Sequence, residues 1–169
     1  MLKISASYGI VCGSFLLLLF YASSLLGIDP FINLVHFFFD SALIAIFITI
    51  ASIEFKRRVE GKIFHFWQGM TLGFGVYLSA TIIFIIGLAT LIYFQGDTVI
   101  NYQVDATKFL EERKDIYIDE FGESGYINQI KAIDNTTAFD LIKSMTTKKL
   151  ITGFLITPLI AIILRKKPK

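Results

Sequence analysis

Two ionisable residues, His36 and Asp40, stand deep inside an otherwise apolar run. Four residues apart on a helix, their side chains share one face and lie one turn from each other. An imidazole beside a carboxylate can pass a proton or hold a cation. Burying that carboxylate in ionised form costs roughly 2.5–3.5 kcal/mol on membrane-insertion scales, so Asp40 is expected to face a bundle interior and find a partner there. Counted from Phe31, Asp40 falls about 12–15 Å along its segment, near the midplane of a bilayer. Ser14, Ser79, Thr81 and Thr157 count to a similar depth in neighbouring segments. Asp40, His36, Ser79 and Thr157 form the candidate intramembrane polar site. One reading is a proton or cation relay. The other is a protonated or hydrogen-bonded Asp40 that fixes helix register. A single carboxylate without a second polar span makes a poor pathway, and the register reading is preferred.

Other chemistry finds less support. His36 and Asp40 supply fewer ligands than a zinc site takes. The other histidine, His65, counts to the opposite side of the membrane, so no metal and no cofactor are expected. Cys12 sits in an apolar run, where thiols are inert, and the hydroxyl residues lack His/Asp companions at a recognisable spacing. No glycine-rich phosphate loop is present. No catalytic residue is expected, and the chain reads as a non-enzyme.

The elements that carry these residues follow from composition. The chain has 169 residues, of which 54% are apolar and only 18% charged. Several apolar runs reach the ~20 residues needed to cross a ~30 Å hydrocarbon core. The expected fold is an all-α integral membrane protein. Four transmembrane helices, at about 4–28, 31–53, 69–95 and 150–164, would form an antiparallel bundle. The alternative for the first run is a cleaved signal peptide, with Ala22-Ser23-Ser24 as an imperfect site. Gly27-Ile28-Asp29-Pro30 reads as the tight turn of a helical hairpin. Gly9 and Gly13 permit close helix contact.

Residues 97–149 are polar, with ten acidic and seven basic residues. Ala106, Phe109, Leu110, Ile116, Tyr117 and Phe121 fall near helical spacing, Gly122 and Gly125 break the pattern, and Ile127, Ile130 and Ile133 resume it. This stretch is expected to be an amphipathic helical insert between spans three and four. Thr137 to Asp140 reads as a capping box that starts one long helix, running from about Thr137 to Arg165 and continuous with the last span. That span is short unless Lys148 and Lys149 extend it by snorkelling their charges to the interface. Pro158 predicts a kink. Asn135-Thr136-Thr137 reads as a turn and helix cap.

The stretch Glu54–Gly69 carries Lys56, Arg57, Arg58 and Lys62 against Glu54 and Glu60. With Lys3 and the basic C-terminus it puts both termini and this connector in the cytoplasm under the positive-inside rule. Lys56, Arg57, Arg58 and Trp67 are the candidate lipid and interface residues. They read as a topology signal with an aromatic anchor, or as a site for anionic lipid or a cytoplasmic partner.

Glu60-Gly61-Lys62-Ile63-Phe64-His65-Phe66-Trp67-Gln68-Gly69, Phe109-Leu110-Glu111-Glu112 and the terminal Arg165-Lys166-Lys167 together resemble a bacterial family of small four-span membrane proteins, domain-of-unknown-function family 4199. The resemblance spans nearly the whole chain. It implies a four-helix protein of the bacterial cytoplasmic (inner) membrane with a helical insert before the last span, and it implies no catalytic residue.

The expected function is that of a non-enzymatic accessory or scaffolding protein presenting its insert to a partner. The alternative is a small proton-coupled transporter or channel using Asp40 and His36. Expected partners are the lipid bilayer and a protein or a second copy of this chain, with no nucleic acid.

Overall fold

The computed structural model describes residues 1–58 and 64–165. It is helical, with no strand among the described residues. The helices are α1 (Leu2–Leu25), α2 (Leu34–Arg58), α3 (Phe66–Phe94), α4 (Thr98–Glu111), α5 (Lys114–Asp134) and α6 (Ala138–Leu164). Four of them, α1, α2, α3 and α6, are long and apolar enough to cross a membrane, and the chain is accordingly a multi-pass membrane protein. Val59 to Ile63 of the connector, Lys62 included, and Lys166 to Lys169 lie outside the described residues.

Each long helix buries one narrow stripe. On α2 it is His36, Asp40, Ile44, Ile48 and Ser52, every fourth residue. On α6 it is Leu141, Met145, Lys149, Gly153, Thr157 and Ala161, again every fourth. Such spacing stacks side chains along one face of a helix. The opposite faces expose large apolar residues such as Phe15, Phe38, Ile82, Ile86 and Leu155, as lipid-facing surfaces do.

Small residues let the helices close up. Gly9 of α1 leaves no room for a methyl group: a Cβ there would sit 2.5 Å from Ser79 Cβ and 2.6 Å from the Val76 carbonyl oxygen. Gly13 meets Ala80 and Ile83, and Gly75 meets Ser5, so α1 and α3 run in the same direction. Gly69, Gly73 and Gly153 bring α3 against Ala161, Thr157 and Tyr77, with α6 running the other way. The core between them holds Cys12, Leu16, Ile44, Ile48, Leu72, Val76 and Phe84.

The α1–α2 connection turns at Gly27, whose φ of 72° is the left-handed conformation that glycine adopts without strain. Asp29 Oδ1 then accepts the Phe31 N–H at 2.7 Å, and Asn33 Oδ1 accepts the Val35 N–H at 2.8 Å. These local bonds compete with helix, so α2 begins at Leu34, three residues later than the apolar pattern predicts.

Thr137 caps α6. Its hydroxyl accepts the Asp140 N–H at 3.3 Å, and Asp140 Oδ2 accepts the Thr137 N–H at 3.0 Å. The fourth apolar segment, 150–164, is the second half of this one helix of 27 residues. Between α3 and α6, α4 and α5 pack on each other through Ala106, Leu110 and Ile133, joined by Ile32 of the α1–α2 connection. Gly122, at φ 74° and ψ 167°, breaks α5. Gly125 lies within helix.

Candidate functional site: a buried ion pair between α2 and α6

His36 and Asp40 lie on the interior stripe of α2, 4% and 5% exposed. Asp40 is nearer the end of its helix than a count from Phe31 gives. From Leu34 it is about 9 Å along a helix some 36 Å long. The site therefore sits in the quarter of α2 adjoining the α1–α2 turn.

The partner that Asp40 requires comes from α6. Lys149 Nζ donates to Asp40 Oδ2 at 2.5 Å, and the residue is 2% exposed. Here the snorkelling expectation is corrected. Lys149 falls on the Leu141–Met145–Gly153 stripe, so its side chain points into the bundle. Lys148, one residue and 100° round, takes the outer path and donates to the Phe31 carbonyl at 3.1 Å. A lysine buried in this way needs both charge and hydrogen-bond compensation. Asp40 provides both, and the ring of Phe84 lies 3.8 Å from Lys149 Nζ, a cation–π contact from α3.

His36 Nδ1 is 3.5 Å from the same Asp40 oxygen. Phe20 of α1 packs edge-on against the imidazole, with centroids 6.0 Å apart. All four long helices thus contribute a side chain to the cluster. Asp40 Oδ1 and His36 Nε2 are buried and take no hydrogen bond from the described residues. Asp40, His36, Lys149, Asn33 and Thr152 line a cavity of about 20 Å³, roughly the room of a single water molecule.

The residues above this cavity lead outward. Asn33 also lines an open groove of about 660 Å³ between the α1–α2 turn and α4. Pro30 lines a second cavity of about 200 Å³. Asp29 and Asp105 border both spaces. Burial pushes the Asp29 carboxyl above its ordinary value, against the hydrogen bond from Phe31 N–H, and the charge of Asp105 adds to the rise. Burial likewise raises the Tyr102 phenol, helped by Asp29.

The other sequence candidates are not part of this cluster. Ser79 packs against Gly9 of α1. Thr157 donates to the Gly153 carbonyl at 2.6 Å and fills the space over Gly73. It lies two turns of α6, about 12 Å, from Lys149. Ser14 is exposed and donates to the Ile10 carbonyl. Thr81 Oγ1 is buried without a hydrogen-bond partner among the described residues.

At the other end of the bundle, Lys56 Nζ donates to the Leu164 carbonyl at 3.1 Å and so caps α6. Glu54 receives Tyr8 Oη and pairs with Arg58. Arg57 and Trp67 are exposed, and Gln68 Oε1 accepts the His65 N–H at the start of α3. No cluster of three or more His, Cys, Asp or Glu residues able to hold a metal ion occurs among the described residues.

Sequence reasoning missed Lys149, Phe84 and Thr152. For Lys149 a signal existed: it is the one charged residue on a four-residue stripe of apolar and small side chains in α6.

A family model described as "Protein of unknown function (DUF4199)" matches residues 7–166. No curated protein matches the chain. No solved structure matches it either.

Proposed function

We propose a role for this chain, which belongs to the DUF4199 family: it is a non-enzymatic accessory protein of the bacterial cytoplasmic membrane, and it presents α4 and α5 to a protein partner. In this reading α1, α2, α3 and α6 form an antiparallel four-span bundle. Both termini and the connector after α2 are cytoplasmic, as the basic residues Lys3, Lys56, Arg57 and Arg58 favour. The α4–α5 insert then lies outside the cytoplasm. No metal, cofactor or nucleic acid enters this role, and a second copy of the chain is an alternative partner.

One observation carries the reading. The insert is polar, yet it leaves large apolar side chains open: Ile100 is 57% exposed, Val104 60%, Ile116 61% and Phe121 59%. Helices outside a membrane that bury only Ala106, Leu110 and Ile133 between them have apolar surface left for a protein. The test is site-specific photocrosslinking from Val104, Ile116 and Phe121 in cells. The expected result is one discrete adduct, lost in the I116S/F121S variant at unchanged protein level. Adducts to lipid only, or none, refute the role.

A second reading has its own support. Asp40, His36 and Lys149 form a charged cluster whose small cavity shares Asn33 with the open groove above. A proton-coupled carrier or channel would use such a group. Reconstituted protein then carries a proton or solute flux that D40N abolishes, and no flux in the wild type removes this reading.

A further inference from the structure

The groove between the α1–α2 turn and α4 has an unusual charge pattern. Asp105 and Lys108 share one face of α4 at i and i+3, Glu112 and Arg113 follow at its C-terminal end, and Asp29 enters from the α1–α2 turn. Both signs of charge are therefore within one groove. None of them forms an ion pair within the chain: the ion pairs among the described residues are Glu54–Arg58 and Asp40–Lys149, with the His36 ring beside Asp40. Arg113 is also preset, its guanidinium carbon 3.7 Å from the centre of the Phe109 ring.

The floor of the groove is mixed: Asp29 and Asn33 stand among apolar side chains. Ile28 and Ile32 come from the chain between α1 and α2, and Leu34 is the first residue of α2. Leu34 is 66% exposed, and one turn further into the bilayer comes Phe38, 61% exposed on the same face of α2. The groove thus opens directly onto a lipid-facing track. Headgroup-level charges above an apolar track are what a phospholipid offers to meet.

We propose that this groove binds a phospholipid whose headgroup carries both a phosphate and a primary ammonium. Lys108 and Arg113 take the phosphate, Arg113 through its planar donor fork. Asp105 and Glu112 take the ammonium. An acyl chain lies along Leu34 and Phe38. The pairing of signs separates this ligand from phosphatidylglycerol, whose headgroup hydroxyls give the carboxylates only neutral hydrogen bonds and no positive charge, and from a choline lipid, whose quaternary ammonium donates no N–H bond. The groove lies where α4 meets the α1–α2 turn, but Lys108 also borders Val104 of the surface offered to a protein partner. Asp105 and Glu112 do not line that second surface, so D105N/E112Q tests the lipid site apart from the partner.

The test is native mass spectrometry of the full chain purified in detergent. Phosphatidylethanolamine, phosphatidylcholine and phosphatidylglycerol of one chain length are titrated in competition. The expected result is retention of phosphatidylethanolamine roughly tenfold above the other two, the scale of one or two charge-assisted hydrogen bonds. K108Q/R113Q lowers that retention about tenfold, D105N/E112Q erases the preference over phosphatidylcholine, and K3Q changes neither. All these side chains are exposed, so the variants fold, and an unchanged melting temperature verifies it. Equal retention of the three lipids, preference for phosphatidylglycerol, or retention unmoved by the α4 variants overturns the proposal.

Discussion

Lys149 Nζ stands 2.5 Å from Asp40 Oδ2 and 3.8 Å from the centre of the Phe84 ring, so one ammonium ties α6 to α2 and α3 within the membrane-spanning part of the chain. Removing either charge leaves the other buried and uncompensated, which costs about 3–5 kcal/mol, whereas replacing both by apolar groups of similar volume is close to neutral. D40L and K149M are each expected to fall by that amount in a reversible detergent-unfolding titration. The double variant D40L/K149M should recover to within about 1 kcal/mol of the wild type. A double variant as unstable as the two singles combined would mean that the residues do not act on each other.

The α1–α3 contact supplies a sharper steric test. A methyl group on Gly9 would meet the Val76 carbonyl at 2.6 Å, and backbone cannot yield as a side-chain tip can. G9A is expected to lose about 1–3 kcal/mol, the usual cost of overpacking. Gly96, after α3, has nothing within 4 Å of the corresponding position, and G96A should melt with the wild type. Equal effects at the two positions would contradict the close approach.

The cap of α6 is a separate element. T137A removes the acceptor for Asp140 N–H and should cost about 1 kcal/mol. Hydrogen exchange should quicken in the first turn of α6 and stay unchanged around Lys149. An effect spread evenly along the helix would show that the cap is not local.

Asp29 gives a pH dependence with a definite sign. Its carboxyl lies above the ordinary value in the folded chain, chiefly through burial. The folded state therefore holds this proton more tightly than the unfolded one. The contribution favours folding below the unfolded value, about pH 4, and is lost as pH rises through the folded value. D29N keeps an acceptor for Phe31 N–H and never ionises. Its melting temperature should equal or exceed that of the wild type at neutral pH, with the gap closing as pH falls towards about 4. A variant less stable than the wild type at neutral pH would reverse the sign.

Much of the helical architecture was legible because apolar runs of sufficient length leave a polypeptide in lipid few options. His36 and Asp40 stood out for the same reason, as ionisable groups in an apolar run. Their partner did not stand out. Lys148 and Lys149 are adjacent at the edge of an apolar run, and local sequence alone does not say which of them turns inward. That is decided by α6 phase, set some distance away by Gly153, Thr157 and Ala161 packing on α3. The start of α2 differs from the apolar pattern by a different mechanism. The side chains of Asp29 and Asn33 hold residues 29–33 out of the helix, and apolarity does not register such bonds. Ser79 and Thr157 counted to plausible depths, but the first meets α1 and the second satisfies itself on its own helix.

The pairing of α1 with α3 also orders events during synthesis. Helix α1 leaves the ribosome before α3, yet its glycine face fits a surface of α3 that ends near Gly87. Until that surface has been translated, α1 has only α2 to lean on, and α2 keeps its own polar stripe for α6, made later still. The nascent chain must therefore hold Asp40 without its counter-ion through the translation of more than a hundred residues, from Asp40 to Lys149. The side chains that lock the bundle are completed only as its final helix enters.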